Sequence, residues 1–256
     1  MKSSDKLGYN QSTKSMINLV KDTEIKKPKH ELIGIYGGTF DPPHNGHLMV
    51  ALAAHDTLKT KIHVLPVYIP TSKHPSSSAK HRFNMAEQMV KGHEGLVIDD
   101  CEYMRDAPSK SIDTLRELRK HYPNGSLCLV IGMDSLNTFT SWYEWENILK
   151  LAHLIVAQRP GYKVPETGLI ADILKERMVK NNSELNETQA GKILFFHTMA
   201  DLDISSTAIR AELATKKNSS MLHPEVLDYI NKNHLYDSED KKSTKEVDDE
   251  PYVKPF

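Results

Sequence analysis

Cysteine is scarce in this chain of 256 residues: Cys101 and Cys128 are the only two, and they lack CxxC spacing. Neither a disulfide framework nor a structural zinc site follows, and each lies in or beside an apolar run that suits a small core residue. Net charge is nearly absent as well, since 33 basic side chains against 34 acidic ones leave a formal -1. That balance excludes a general field for nucleic acid or anionic membrane, so any anion must be held by local groups. Long apolar runs are missing too. Nowhere do roughly eighteen apolar residues stand together, and the early MINLV segment is short and flanked by lysines. The expectation is a soluble, cytoplasmic protein with neither nucleic-acid nor membrane partners; oligomeric state is open. No internal repeat is visible.

What is present is enough apolar content, 39% of residues, to bury a sizeable core. Residues 1–30 are polar and lysine-rich and read as a mobile leader, 31–236 as the folded domain, and 237–256 as a charged, disordered tail. Within the domain, short apolar runs alternate with helical patterns. Strands are expected at Leu32–Tyr36, Ile62–Val67, Leu96–Ile98, Leu127–Ile131, Leu154–Ala157 and Ile193–Phe196. Helices are expected after Pro43, from Lys80, from an N-cap at Ser111, around Ile148, over Ile170–Met178, after an N-cap at Ser205, and over Pro224–Asn231. Such alternation implies a Rossmann-like α/β fold, a mostly parallel sheet with helices on both faces.

The most informative stretch is Gly34–Leu48, GIYGGTFDPPHNGHL. It reads as a buried strand, a turn through Gly37 and Gly38, and a helix N-terminus. Free N–H groups and the helix dipole make such a terminus an anion site. His44 and His47, three residues apart, fall on one side of the first turn if the helix has begun there, and Gly46 between them admits a close approach of phosphate to the backbone. No Gly-Lys-Ser/Thr follows, so a Walker loop is excluded. Further along, Asp134 stands just past the carboxyl end of a strand, where ligands of open α/β sheets bind, and Arg159 lies at another such edge. Both tryptophans fall in FTSWYEWENIL, which offers a stacking platform for a flat heterocycle. The segment DISSTAIRAEL places Ser205, Ser206, Thr207 and Arg210 at the start of another helix. Lys73 and His74 lie in the loop after the second strand, and Lys80, His81 and Arg82 begin the next helix; from there they could close over a triphosphate. Taken singly, each segment has an ordinary explanation as a tight turn, a capped helix or a solvated face.

Together, in order, they resemble one family. GGTFDPPHNGHL, the HRFNM helix start, APSKSIDTL, IGMDSLNTFTSWYEWENILKLAHLIVAQRPGY and DISSTAIR are similar to segments of the bacterial nicotinate-nucleotide adenylyltransferases, of the nucleotidyltransferase superfamily. The first and last are general to the superfamily; the long middle segment separates this reading from pantetheine-phosphate adenylyltransferases and cytidylyltransferases. The resemblance implies transfer of an adenylyl group from ATP to nicotinate mononucleotide in NAD biosynthesis. It also implies His44, His47 and Arg210 as catalytic groups on the ATP phosphates, and Gly37, Gly38, Thr39, Phe40, Gly46, Asp134, Arg159, Ser205, Ser206 and Thr207 as ATP-binding. Asp41, Lys73, Ser111, Trp142 and Tyr143 are implied for nicotinate mononucleotide. Mg²⁺ is implied as a cofactor carried by the phosphates, with no resident metal ligands. This chain departs from the family in having Lys110 where an aromatic is usual, and in the shifted spacing of the Lys73 loop. The preference between nicotinate and nicotinamide mononucleotide is left open.

Overall fold

The computed structural model describes residues 30–71, 74–105, 107–158, 163–198 and 204–237. The expected leader and tail lie outside these residues, save for His30 and Asp237, as do Lys73 and Arg159.

Seven strands form one parallel sheet in the order β3-β2-β1-β4-β5-β7-β6. They are β1 (Leu32–Gly38), β2 (Ile62–Pro66), β3 (Leu96–Ile98), β4 (Ser126–Gly132), β5 (His153–Gln158), β6 (Met178–Val179) and β7 (Ile193–His197). Helices α1 (Asn45–Leu58), α2 (Ala79–Val90), α3 (Ser111–His121), α4 (Met133–Thr138), α5 (Trp145–Leu151), α6 (Gly168–Arg177), α7 (Ser206–Lys216) and α8 (Pro224–Lys232) complete the layers. Strand side chains alternate between two buried faces, which is why the strands read as continuous apolar runs. Leu32 and Tyr36 of β1 pack with Ala51, Met85, Ile209 and Val226 from α1, α2, α7 and α8. Ile33 and Ile35 point the other way, among Ile112, Leu136, Ile148 and Ile173 from α3 to α6. Gly34, between them, lets β1 and β2 come together: a Cβ there would lie 2.4 Å from Ile62 Cδ1 and 3.0 Å from the Lys61 carbonyl oxygen. Both cysteines are free, Cys128 buried and Cys101 half-buried, and burial pushes both thiols well above their ordinary pKa.

The structure corrects the sequence reading at several boundaries. Strand β1 continues through Gly37 and Gly38, which pair with Leu65 and Pro66, so the turn begins one step later than the glycines suggest. Ser111 is the first residue of α3; Lys110 takes the N-cap position, without a side-chain cap. The segment after Gly132 winds into the short α4, and Met178 belongs to the two-residue edge strand β6. Elements this short carry too few residues for periodicity to register.

The order 2-1-4 around β1 reverses the direction in which the sheet is built. Crossovers leave β1 and β4 on opposite sides and open a crevice at their carboxyl ends.

Candidate active site

The turn leaving β1 is strained and dense. Phe40 adopts φ 51°, in the left-handed region that a residue bearing a Cβ seldom takes, and its ring is 1% exposed. That conformation drives the ring inward, where its centroid lies 5.1 Å from the His47 ring and 5.8 Å from Tyr36, both edge-on. Burying an aromatic of this size stabilises by about 2 kcal/mol, enough to offset the backbone strain.

His44 is the N-cap of α1, so the helix starts one residue later than a first turn holding both histidines would require. The two imidazoles still meet, because they cap one another. The His47 N–H donates to His44 Nδ1 at 3.4 Å, the His44 N–H donates to His47 Nδ1 at 3.2 Å, and the rings stack with centroids 3.7 Å apart. A ring nitrogen that accepts from a backbone N–H carries no proton. In these two rings Nε2 is therefore the donating nitrogen, and the capping geometry itself selects the tautomer. Gly46 makes room for this pair: a Cβ there would meet His44 Nδ1 at 3.1 Å, so what approaches its backbone is the neighbouring imidazole.

A second helix N-terminus faces the first. Ser205 caps α7 by accepting from the Ala208 N–H at 3.2 Å, and Ser206 Oγ donates to the Pro42 carbonyl at 3.0 Å, tying α7 to the β1–α1 turn. One turn on, Arg210 donates from Nη1 to the Asp41 carbonyl at 2.6 Å and from Nη2 to Thr207 Oγ1 at 3.2 Å. The guanidinium from α7 and the imidazoles from α1 thus border one cavity of about 640 Å³. Thr39, Phe40, Asp41, Asp134, Ser205, Ser206 and Thr207 line it with them, joined by His74, which the sequence reading placed near the phosphates, and by three residues it did not single out: Pro75, Met133 and Ile204. Gly37, Gly38 and Gly46 form its backbone frame without lining it.

The pyridine-side candidates form a separate cluster. Ser111 opens α3, and the neighbouring Lys110 places Nζ 4.1 Å from the centroid of the Tyr143 ring, itself 58% exposed. Arg116 of α3 bonds Glu144 at 2.6 Å, which holds the start of α3 against the segment before α5. Trp142 is half-buried with its ring 5.6 Å from Phe139, packed against the core. None of Ser111, Trp142 and Tyr143 borders the cavity. They follow the carboxyl ends of β3 and β4 in the chain.

Arg82 corrects the sequence reading outright. Expected to reach over a triphosphate, it is 1% exposed and turned into the protein, where it donates to the carbonyls of Thr39 (3.1 Å), Tyr68 (2.8 Å) and Val67. Burial lowers its pKa from the ordinary guanidinium value, opposed by the charges of Tyr103 and Asp41. Its position on the α2 stripe formed with Met85, Ala86 and Met89 was the available signal, since a charged residue on an apolar face must find partners inside. Tyr236, past the last helix, is the other unforeseen group: its hydroxyl donates to Asp41 Oδ1 at 2.7 Å.

Among the described residues, no group of three His, Cys, Asp or Glu side chains is placed to hold a metal ion, and no helix is long and apolar enough to cross a membrane.

Comparison with known proteins agrees with this fold. The cytidylyltransferase-like family model matches residues 35–212. A protein of Pseudoalteromonas atlantica named "Probable nicotinate-nucleotide adenylyltransferase" is 41% identical over 207 residues, covering 80% of this chain and 94% of that one. One of the same name from Aeromonas hydrophila is 38% identical, covering 80% and 96%. Among solved structures, the Plasmodium falciparum nicotinic acid mononucleotide adenylyltransferase complexed with NaAD superposes with a TM-score of 0.63 at 26% identity, over 81% of this chain and 98% of that one. The same protein complexed with APC gives 0.60 at 25% identity, with the same coverage.

Proposed function

This chain belongs to the nicotinate-nucleotide adenylyltransferases, within the cytidylyltransferase-like family, and from that membership we propose that it joins ATP and nicotinate mononucleotide into nicotinate adenine dinucleotide, releasing pyrophosphate, in NAD biosynthesis. The observation that carries the reading is the convergence of His44, His47 and Arg210, from opposite ends of the domain, on one cavity beneath two helix N-termini. A polyanion is what such donors bind together.

A phosphate oxygen of nicotinate mononucleotide attacks the α-phosphorus of ATP in line. The new P–O bond forms as the bond to the bridging α–β oxygen breaks, and that electron pair leaves on pyrophosphate. No protein nucleophile is needed. Catalysis consists of holding two polyanions in attack geometry and stabilising the charge that builds on the phosphorus oxygens and the leaving group. The Nε2–H groups of His44 and His47, the Arg210 guanidinium and the N–H groups opening α1 and α7 do this work. Asp134 takes the adenosine ribose, with Thr39 and Phe40 between the two substrates. The carboxylate of Asp41 is already occupied by Ser76, Ser77 and Tyr236, so Asp41 shapes the cavity without binding ligand through its side chain. Mg²⁺ fits this donor set as an ion carried on the ATP phosphates, where it would offset their charge. Ser111, Trp142 and Tyr143 receive the pyridine ring, and the cation of Lys110 beside Tyr143 favours the acid over the amide.

The test is incubation with ATP, Mg²⁺ and nicotinate mononucleotide, reading nicotinate adenine dinucleotide and pyrophosphate. Turnover of phosphopantetheine in place of the mononucleotide, or of no acceptor at all, overturns the proposal.

A further inference from the structure

Asp41 carries a buried carboxylate, 5% exposed, beside a guanidinium that must remain available to a polyphosphate. A carboxylate and an arginine this close ordinarily collapse into a two-pronged pair at about 2.8 Å, which would neutralise the cation. Here they do not. Arg210 bonds the Asp41 backbone carbonyl at 2.6 Å, and its Nη1 stays 3.9 Å from Asp41 Oδ2. The carboxylate is satisfied from elsewhere: Oδ2 accepts from the Ser76 N–H at 2.6 Å, and Oδ1 accepts from Ser77 Oγ at 2.5 Å and Tyr236 Oη at 2.7 Å. Tyr236 stands 195 residues beyond Asp41 in the chain, and its hydroxyl also lies 3.2 Å from Ser77 Oγ and 3.8 Å from Met85 Sδ, so it is fixed on three sides.

We infer that Tyr236 is a positioning residue for the phosphate site: with Ser76 and Ser77 it keeps the Asp41 carboxylate out of a direct two-pronged pair with Arg210, so that the guanidinium keeps N–H donors for the polyphosphate of ATP. The inference rests on reading the cavity as an ATP site. Tyr236→Phe removes one donor from Oδ1 and lets the carboxylate swing toward Arg210, while the ring stays packed against the core.

The experiment measures ATP affinity by calorimetry without a second substrate, for the wild type, Tyr236→Phe, Asp41→Asn and the double variant. The expected result is ATP binding weakened about tenfold in Tyr236→Phe, the scale of one hydrogen bond to a charged group, with nicotinate mononucleotide affinity unchanged. In the Asp41→Asn background, where no carboxylate remains to restrain, the same substitution should cost less than about twofold, because the coupling runs through that charge. A role in packing alone would give the same loss in both backgrounds, and that result, or wild-type affinity in Tyr236→Phe, overturns the inference. Ser77→Ala reaches the same carboxylate from the other side and must reproduce the pattern if Tyr236→Phe folds poorly. A wild type that binds ATP yet releases no pyrophosphate with nicotinate mononucleotide defeats the proposed reaction and leaves Tyr236 to the binding cycle; a wild type that binds no ATP defeats both.

Discussion

In the proposed reaction two imidazoles and a guanidinium carry the chemistry, and each is bonded to a backbone group. His44 and His47 are held by their own capping pattern, and Arg210 by the Asp41 carbonyl. We expect His47→Ala or Arg210→Ala to lower kcat/KM by about 10²- to 10³-fold, on the order of 3 to 4 kcal/mol, the cost of removing one preorganised donor from charge that builds in the transition state. Steady-state kinetics with circular dichroism to confirm the fold checks this, and full activity in a folded His47→Ala protein removes that residue's role. Lys110 makes a second prediction at this scale. If its cation beside Tyr143 selects for a carboxylate, Lys110→Met should lower kcat/KM for nicotinate mononucleotide and leave that for nicotinamide mononucleotide unchanged, so that the ratio of the two falls.

At the scale of elements, the β1–α1 turn is the part that must not move, and Arg82 of α2 is its fastener. One guanidinium spans the carbonyls of Thr39, Val67 and Tyr68, joining the exit of β1 to the exit of β2. A lysine has the charge without the planar fork and cannot serve three divergent acceptors from one ammonium. Arg82→Lys should therefore destabilise by about 2 to 4 kcal/mol, since it leaves buried carbonyls without donors. The urea midpoint should fall with an unchanged m-value; an unchanged midpoint would show the carbonyls find other partners. Arg82 also marks a limit of sequence reading. The HRFNM start of α2 was visible as a motif, and helical spacing puts its arginine on the stripe of Met85, Ala86 and Met89, but which carbonyls it meets depends on how α2 docks.

Across the whole molecule, the sheet brings the site together and also contains a group that makes folding acid-sensitive. His153, fully buried at the start of β5, accepts the Lys192 N–H on Nδ1 at 3.0 Å and bonds the Thr188 carbonyl through Nε2 at 3.0 Å. Burial holds its pKa down, from 6.5 to about 4. As pH falls below 6.5 the unfolded chain takes up a proton that the folded one refuses, so stability drops until about pH 4 and then levels, a loss of about 3 kcal/mol from this group. Urea titrations between those limits should show that slope, and His153→Gln should flatten it. A wild type with no stability change across the window contradicts the assignment.

The sequence by itself determined the parallel sheet, because strands buried on both faces must be apolar throughout, and it determined the two helix starts that border the cavity, because HNGH and ISSTAIR act within a single turn of their own helices. Family membership was legible for the same reason: the matching segments are contiguous. Tertiary structure alone decided which carbonyls Arg82 meets, that Asp41 spends its carboxylate on Ser76, Ser77 and Tyr236, and that Trp142 packs beside Phe139. Each of these depends on a contact between distant segments. A side chain's type fixes what bonds it can make, but only the folded chain determines which partner is near enough to make them.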